Sequence, residues 1–123
     1  MTQATSTIAT DTPLLRDVVE RILKANRPAA IILFGSMVRG DAHGGSDLDL
    51  LVIEHENPLP RHQRATPYQM AFLGINRDID LLVYTPQEIE EWANVPHAFI
   101  TTVMREGRVL YEDGSGLGAR LVG

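Results

Sequence analysis

Apolar residues recur at helical spacing early in the chain: Leu14, Leu15, Val18, Val19, Ile22 and Leu23. Arg16, Asp17, Glu20, Arg21 and Lys24 fill the other face, with Arg16–Glu20, Asp17–Arg21 and Glu20–Lys24 each four apart, a spacing that supports a helix. Thr12 as N-cap and Pro13 at the first helical position start this helix, which ends near Ala25-Asn26. Ala29 to Phe34 is an unbroken apolar run between Pro28 and Gly35, the pattern of a buried strand. Gly35-Ser36 breaks it, and Met37 to Gly40 begins a short helix before a Gly-rich loop over Asp41 to Gly45. Leu48 to Ile53 predicts a second buried strand, and residues 54–60, with two prolines, a loop. Residues 61–74 read as a helix interrupted by Pro67, and Asp78 to Tyr84 as a third strand. Thr85-Pro86 repeats the cap-plus-proline signal and opens a helix through about Trp92. Pro96 to Glu106 predicts another helix, stopped by Gly107, and Arg108 to Tyr111 a short final strand. Residues 1–11 read as a flexible leader and 112–123 as a flexible Gly-rich tail, leaving 12–111 as one domain. The order of elements predicts a mixed α/β (α+β) domain: one small mixed sheet flanked by helices.

Composition narrows the possibilities. At 123 residues and 44% hydrophobic the chain supports one core. Larger substrate-recognition structure is expected from a partner chain or a second copy, so a homo-oligomer stays open. The net charge is -5, with only 11 scattered Lys and Arg. That disfavours a long nucleic-acid substrate, which usually calls for a basic patch. The absence of cysteine rules out disulfides, thiolate chemistry and zinc–sulfur sites. No apolar run approaches the roughly 18 residues of a membrane span, and Met1 to Asp11 has no basic or apolar signal region. The expectation is a soluble cytoplasmic protein with no membrane partner.

Candidate chemistry lies between residues 35 and 80. Asp47 and Asp49 flank Leu48 at the mouth of a strand, and alternation along a strand sends both carboxylates to one face. Two such carboxylates repel unless a cation lies between them, and hard ions such as magnesium take carboxylate oxygens. A calcium loop would need an oxygen ligand near position 51 and glycine at 52; Leu51 and Val52 stand there. Gly35-Ser36 ends one strand and opens a short helix, where free backbone N–H groups accept an anion. In the third strand Asp80 interrupts Ile79, Leu81 and Val83, and a carboxylate inside an apolar strand is costly unless paired or metal-bound. Asp78 is the competitor, nearer the strand start. The four histidines, His43, His55, His62 and His97, share no metal spacing. Trp92 and Phe99 read as core or interface, and Arg61 to Arg64 as a solvated helix face that alternatively reaches a nucleotide or partner.

Gly35-Ser36, ten intervening residues, Asp47-Leu48-Asp49 and a distant strand carboxylate form a composite motif. Its flanks are Phe34, Arg39-Gly40, Ser46 and Leu50-Leu51-Val52. In this the chain resembles the DNA polymerase beta-like nucleotidyltransferase superfamily, above all its minimal nucleotidyltransferase branch, over about residues 14–111. The resemblance implies that Gly35 and Ser36 hold the β- and γ-phosphates of ATP and that Asp47 and Asp49 bridge two magnesium ions. Asp80 would complete the site of the metal that activates the acceptor hydroxyl. Arg39 is a phosphate or structural contact, and Ser46 a cap or turn residue placed beside the nucleotide. The expected reaction transfers AMP to an acceptor and releases pyrophosphate. Members of this branch are typically encoded beside a HEPN-domain toxin and act as its antitoxin by attaching AMP to it. The arginine–histidine spacing of a HEPN nuclease is missing here, since Arg39 and His43 have only three residues between them. The resemblance therefore implies the antitoxin half. Alternatives are an antitoxin that neutralises by binding alone, and a small-molecule nucleotidyltransferase of the antibiotic-modifying kind.

Overall fold

A computed structural model describes residues 7–8, 12–39, 47–95 and 98–116; of Thr7, Ile8, Ser36 and Arg39 only the backbone is described. The elements are β1 (Thr7–Ile8), α1 (Pro13–Ala25), β2 (Ala30–Phe34), α2 (Ser36–Arg39), β3 (Leu48–Ile53) and α3 (Arg61–Arg64). They continue with α4 (Thr66–Ala71), β4 (Ile79–Tyr84), α5 (Pro86–Glu91), α6 (Phe99–Glu106) and β5 (Arg108–Glu112).

Local chemistry explains most boundaries. The Thr12 hydroxyl accepts from the Leu15 N–H at 3.2 Å and caps α1. Asp17 and Arg21 pair at 3.1 Å along its flank. Arg21 also donates to the carbonyls of Ala71 and Leu73, at 3.0 and 2.7 Å, tying the end of α4 to α1. At the start of α5 Thr85 and Glu88 form a reciprocal capping box.

Among the described residues the sheet has five strands in the order β1-β5-β2-β3-β4. There β3 and β4 pair in parallel, and β1–β5, β5–β2 and β2–β3 are antiparallel. Alternation divides the strand residues between two cores. Leu48, Leu50 and Val52 of β3 join α1, Tyr68 and Phe72 on one face. Leu51 and Ile53 join Ile89 of α5 and Ile100, Val103 and Met104 of α6 on the other. Both faces of β2 and β3 are covered, which is why these strands read as continuous apolar runs.

The structure corrects several expectations. The segment after residue 60 is two short helices broken at Ala65, and Pro67 sits in the first turn of the second instead of ending a helix. Helix α6 starts at Phe99, with residues 96–97 outside the described residues. Within the expected leader, Thr7 and Ile8 pair with Glu112 and Tyr111 of β5. Gly107 caps α6 as expected, but its φ of -70 means that the left-handed region does not require glycine there. Space does: a Cβ would collide with Ile32 Cγ2 and lie 2.7 Å from the Val103 carbonyl oxygen.

Candidate active site

Strand register assembles the site. Phe34 of β2 lies level with Asp49 of β3, and Asp49 lies level with Asp80 of β4. Three adjacent strands thus carry Phe34, Asp49 and Asp80 side by side. These residues alternate in phase with Ile32, Leu51 and Leu82, so they share the sheet face on which α6 packs. Where the sheet ends, α6 and the chain after β2 leave a cleft of about 580 Å³. Gly35, Asp49, Gln69, Asp80, Phe99 and Glu106 are among its lining residues.

Gly35 is indispensable to this geometry for two reasons. Its φ is +79, in the left-handed region that side chains disfavour. A Cβ there would also strike an Asp49 carboxylate oxygen, with the carboxyl carbon at 3.0 Å. The Asp49 carboxylate therefore lies directly against the backbone of the strand-to-helix turn. The turn continues at once into α2, with the Val38 N–H donating to the Gly35 carbonyl at 3.0 Å. Backbone N–H groups at such a turn are anion acceptors.

Asp80 occupies a different environment from the one its apolar neighbours suggested. It is exposed to the cleft while Ile79, Leu81 and Val83 are buried on the other side. No burial penalty marks it; what marks it is its register with Asp49. Asp78 precedes the strand, is exposed, and its carbonyl accepts from the Leu48 N–H at 3.0 Å. Asp47 is exposed one residue before β3 and lies outside the residues lining the cleft. Ser46 lies outside the described residues. Ser36 and Arg39 open and close α2, the helix that follows Gly35.

Asp49 and Asp80 are oxygen donors on one face, suited to a hard divalent ion. Among the described residues no group of three or more His, Cys, Asp or Glu side chains converges to hold a metal by itself. Magnesium does not require one, since it is commonly held by one or two carboxylates together with substrate phosphates. The two carboxylates fit that arrangement.

Other titratable candidates have structural partners. Arg64, expected on a solvated face, is only 6% exposed. It donates to both carboxylate oxygens of Glu88, at 2.7 and 3.0 Å, and to the carbonyls of Leu59, Asn57 and Val83. The Arg64 hydrogen bonds hold the Glu88 carboxyl below its usual range, against a smaller upward push from burial. Arg61 stacks over the Tyr84 ring at 4.8 Å. His55 pairs with Asp113 at 2.8 Å, and His62 is exposed; His43 and His97 lie outside the described residues. Trp92 and Phe99 are 42% and 58% exposed, so neither is core. The sequence reading had not assigned Gln69, Thr102 and Glu106 to the site; they come from helices whose approach depends on long-range packing.

A carboxylate pair on adjacent strands and a glycine turn into a helix thus stand at the end of a mixed sheet covered on both faces. The sequence profile of the family described as polymerase beta, nucleotidyltransferase matches residues 17–115, and the chain belongs to that family. No curated protein matches it by sequence. Three solved structures share the fold. One, described as a candidate nucleotidyltransferase from Sulfolobus solfataricus, is 22% identical with a TM-score of 0.52, over 63% of this chain and 69% of the other. The second, a toxin–antitoxin with AMP-PNP, is 18% identical with a TM-score of 0.57, over 87% of this chain and 82% of the other. The third, a toxin–antitoxin variant named MntA-HpeT with two aspartates replaced by glutamate, is 17% identical with a TM-score of 0.55 over the same shares, 87% and 82%. Among the described residues no helix is long and apolar enough to cross a membrane.

Proposed function

We propose that the chain transfers AMP from ATP to a hydroxyl of a partner protein and serves as the antitoxin of a toxin–antitoxin pair in the cytoplasm. The observation that carries this reading is the register of Asp49 with Asp80 in a cleft floored by Gly35. The fold likeness to a toxin–antitoxin with AMP-PNP supports the choice of nucleotide and of partner, which we take to be a HEPN-domain toxin.

The backbone at Gly35 and the first turn of α2, with Ser36, would receive the β- and γ-phosphates. Arg39 and Ser46 would flank them. Asp49 and Asp80, with Asp47 closing from the strand mouth, would hold two magnesium ions. Bound there, the ions would supply charge neutralisation on the attacking and leaving oxygens. The acceptor oxygen bonds to the α-phosphorus as the bond from that phosphorus to the bridging oxygen breaks. The proton passes to Asp80, and pyrophosphate leaves with the bond's electron pair. Alignment and charge stabilisation carry most of the rate in such transfers.

The test is magnesium-dependent labelling of the co-expressed partner from ATP radiolabelled at the α-phosphate. A labelled partner band that disappears with Asp47→Ala/Asp49→Ala is the expected result. Equal labelling by wild type and variant would end the assignment. A second reading, neutralisation by binding alone, draws on the exposed apolar side chains of Trp92, Val95 and Phe99. Full neutralisation by the double variant, with no labelling by wild type, would favour it.

A further inference from the structure

Large aromatic side chains bury most of their surface unless something uses them, so an exposed one beside a polar cleft is informative. Phe99 opens α6 and is 58% exposed. It is nevertheless held: the Phe34 ring meets it in a T-shaped contact, with centroids 5.9 Å apart and planes at 77°. Phe34 is in turn packed against the core that Leu51 and Ile53 form with α5 and α6, and stands level with Asp49. Both rings line the cleft that holds Asp49 and Asp80. Thr102 and Val103, three and four residues along α6 from Phe99, continue the same wall. Leu82, the next residue on the Asp80 face of β4, adds further apolar surface. The wall from Phe99 to Val103 and Leu82 is thus largely apolar, with Glu106 at its far end on α6, and it carries a fixed, accessible ring.

The geometry points to Phe99 as a specificity-determining residue that stacks on a planar ring bound in the cleft, with Phe34 setting its orientation. This deepens the transfer reading by naming what the cleft recognises. The ring has two sources in that reaction, the base of the nucleotide or a phenolic acceptor side chain. Both offer a flat π-face; an aliphatic hydroxyl such as that of serine offers none and gains nothing from Phe99. One aromatic stack is worth roughly two- to tenfold in affinity.

The experiment titrates the isotope-labelled full chain with adenosine and, separately, with p-cresol, following the amide shifts of Phe99, Thr102 and Val103. Either ring, or both, is expected to move these signals. Phe99→Ala and Phe99→Leu should weaken the effect roughly two- to tenfold, while Phe99→Tyr retains it. Response to adenosine alone assigns the stack to the nucleobase, and response to p-cresol alone assigns it to the acceptor. If neither ring moves the signals, or Phe99→Leu binds as wild type does, the stacking role is overturned. Thermal melts check that the variants fold, which the exposure of Phe99 favours. The readout is binding, so a chain that binds a ring yet transfers nothing would sink the transferase reading alone.

Discussion

The two ends of β3 put carboxylates to opposite uses. At one end Asp49 lies against the Gly35 turn and faces an open cleft beside the exposed Asp80. At the other end Glu54, the residue after the strand, is only 6% exposed. It accepts hydrogen bonds from the Tyr68 hydroxyl and from the side-chain amides of Asn26 and Asn57, the last two at 2.8 and 2.6 Å. Burial, ahead of the nearby Glu54, drives the Tyr68 hydroxyl well above its ordinary pKa, so it stays a donor at neutral pH. Beside this network the buried Arg64 and the half-buried Glu88 close a second set. The strand therefore has a closed end, where polar groups satisfy one another, and an open end, where two carboxylates face a space a ligand can fill. A buried acid with several side-chain donors belongs to the scaffold, whereas acids grouped at an open cleft are available for chemistry.

Substitutions at the two ends should separate stability from activity. The largest effect is expected at the closed end. Arg64→Ala removes a buried cation, strands three carbonyls and leaves Glu88 unpaired, so urea denaturation should show a loss of about 3–5 kcal/mol. A loss below about 1 kcal/mol would place this pair with ordinary surface ion pairs and erase the contrast. Next, Asp49→Asn at the open end should slow the proposed AMP transfer about a hundredfold or more, the scale of losing a group that stabilises transition-state charge. Its melting temperature should equal or exceed that of wild type. Lower stability with intact initial rates would reverse the roles of the two ends. Glu54→Gln is a smaller change, because it keeps the shape but turns one acceptor into a donor facing donors. A loss of about 1–3 kcal/mol is expected in the same denaturation assay, with the transfer rate at low temperature unchanged.

The open end was legible in the sequence because it is built from local spacing. Gly35-Ser36, ten residues and Asp47-Leu48-Asp49 declare a turn and a strand edge without reference to distant residues. The covered strands were equally plain, since burial on both faces leaves little polar residue in Ala30–Phe34 or Leu50–Ile53. The closed end was hidden because its partners are far apart. Arg64 meets Glu88 across 24 residues and Glu54 meets Asn26 across 28, and neither separation leaves a periodic trace. Asp80 was singled out for the cost of burial, yet it is exposed, and its place depends on parallel pairing with β3. Phe99 was read as core or interface because its exposure is fixed by how α6 crosses the sheet, which no local pattern encodes.

The smallest expected effect concerns acid, and it sharpens the comparison by following two carboxylates near the closed end. The folded-state pKa of Glu88 lies below the ordinary carboxylate range, through the Arg64 hydrogen bonds first of all. A lowered carboxylate pKa means that the folded chain binds its proton less readily than the unfolded chain does. Its stabilising contribution is then present above the unfolded value and is lost as pH falls through the folded value. Denaturation midpoints should therefore decline as the pH is brought from neutral to below the ordinary carboxylate range. Asp113 adds a slope of the same sign: burial raises its pKa, but the hydrogen bonds from His55 and Ser115 together outweigh burial and leave it lowered. Glu88→Gln removes one titrating group and Asp113→Asn the other, so the midpoint-versus-pH curves of the two variants apportion the slope. If Glu88→Gln keeps the full wild-type slope, the Arg64 pair does not govern the acid response and the closed end is held by packing. If the slope flattens while the pH profile of the proposed AMP transfer stays put, the closed end governs acid stability without governing the reaction.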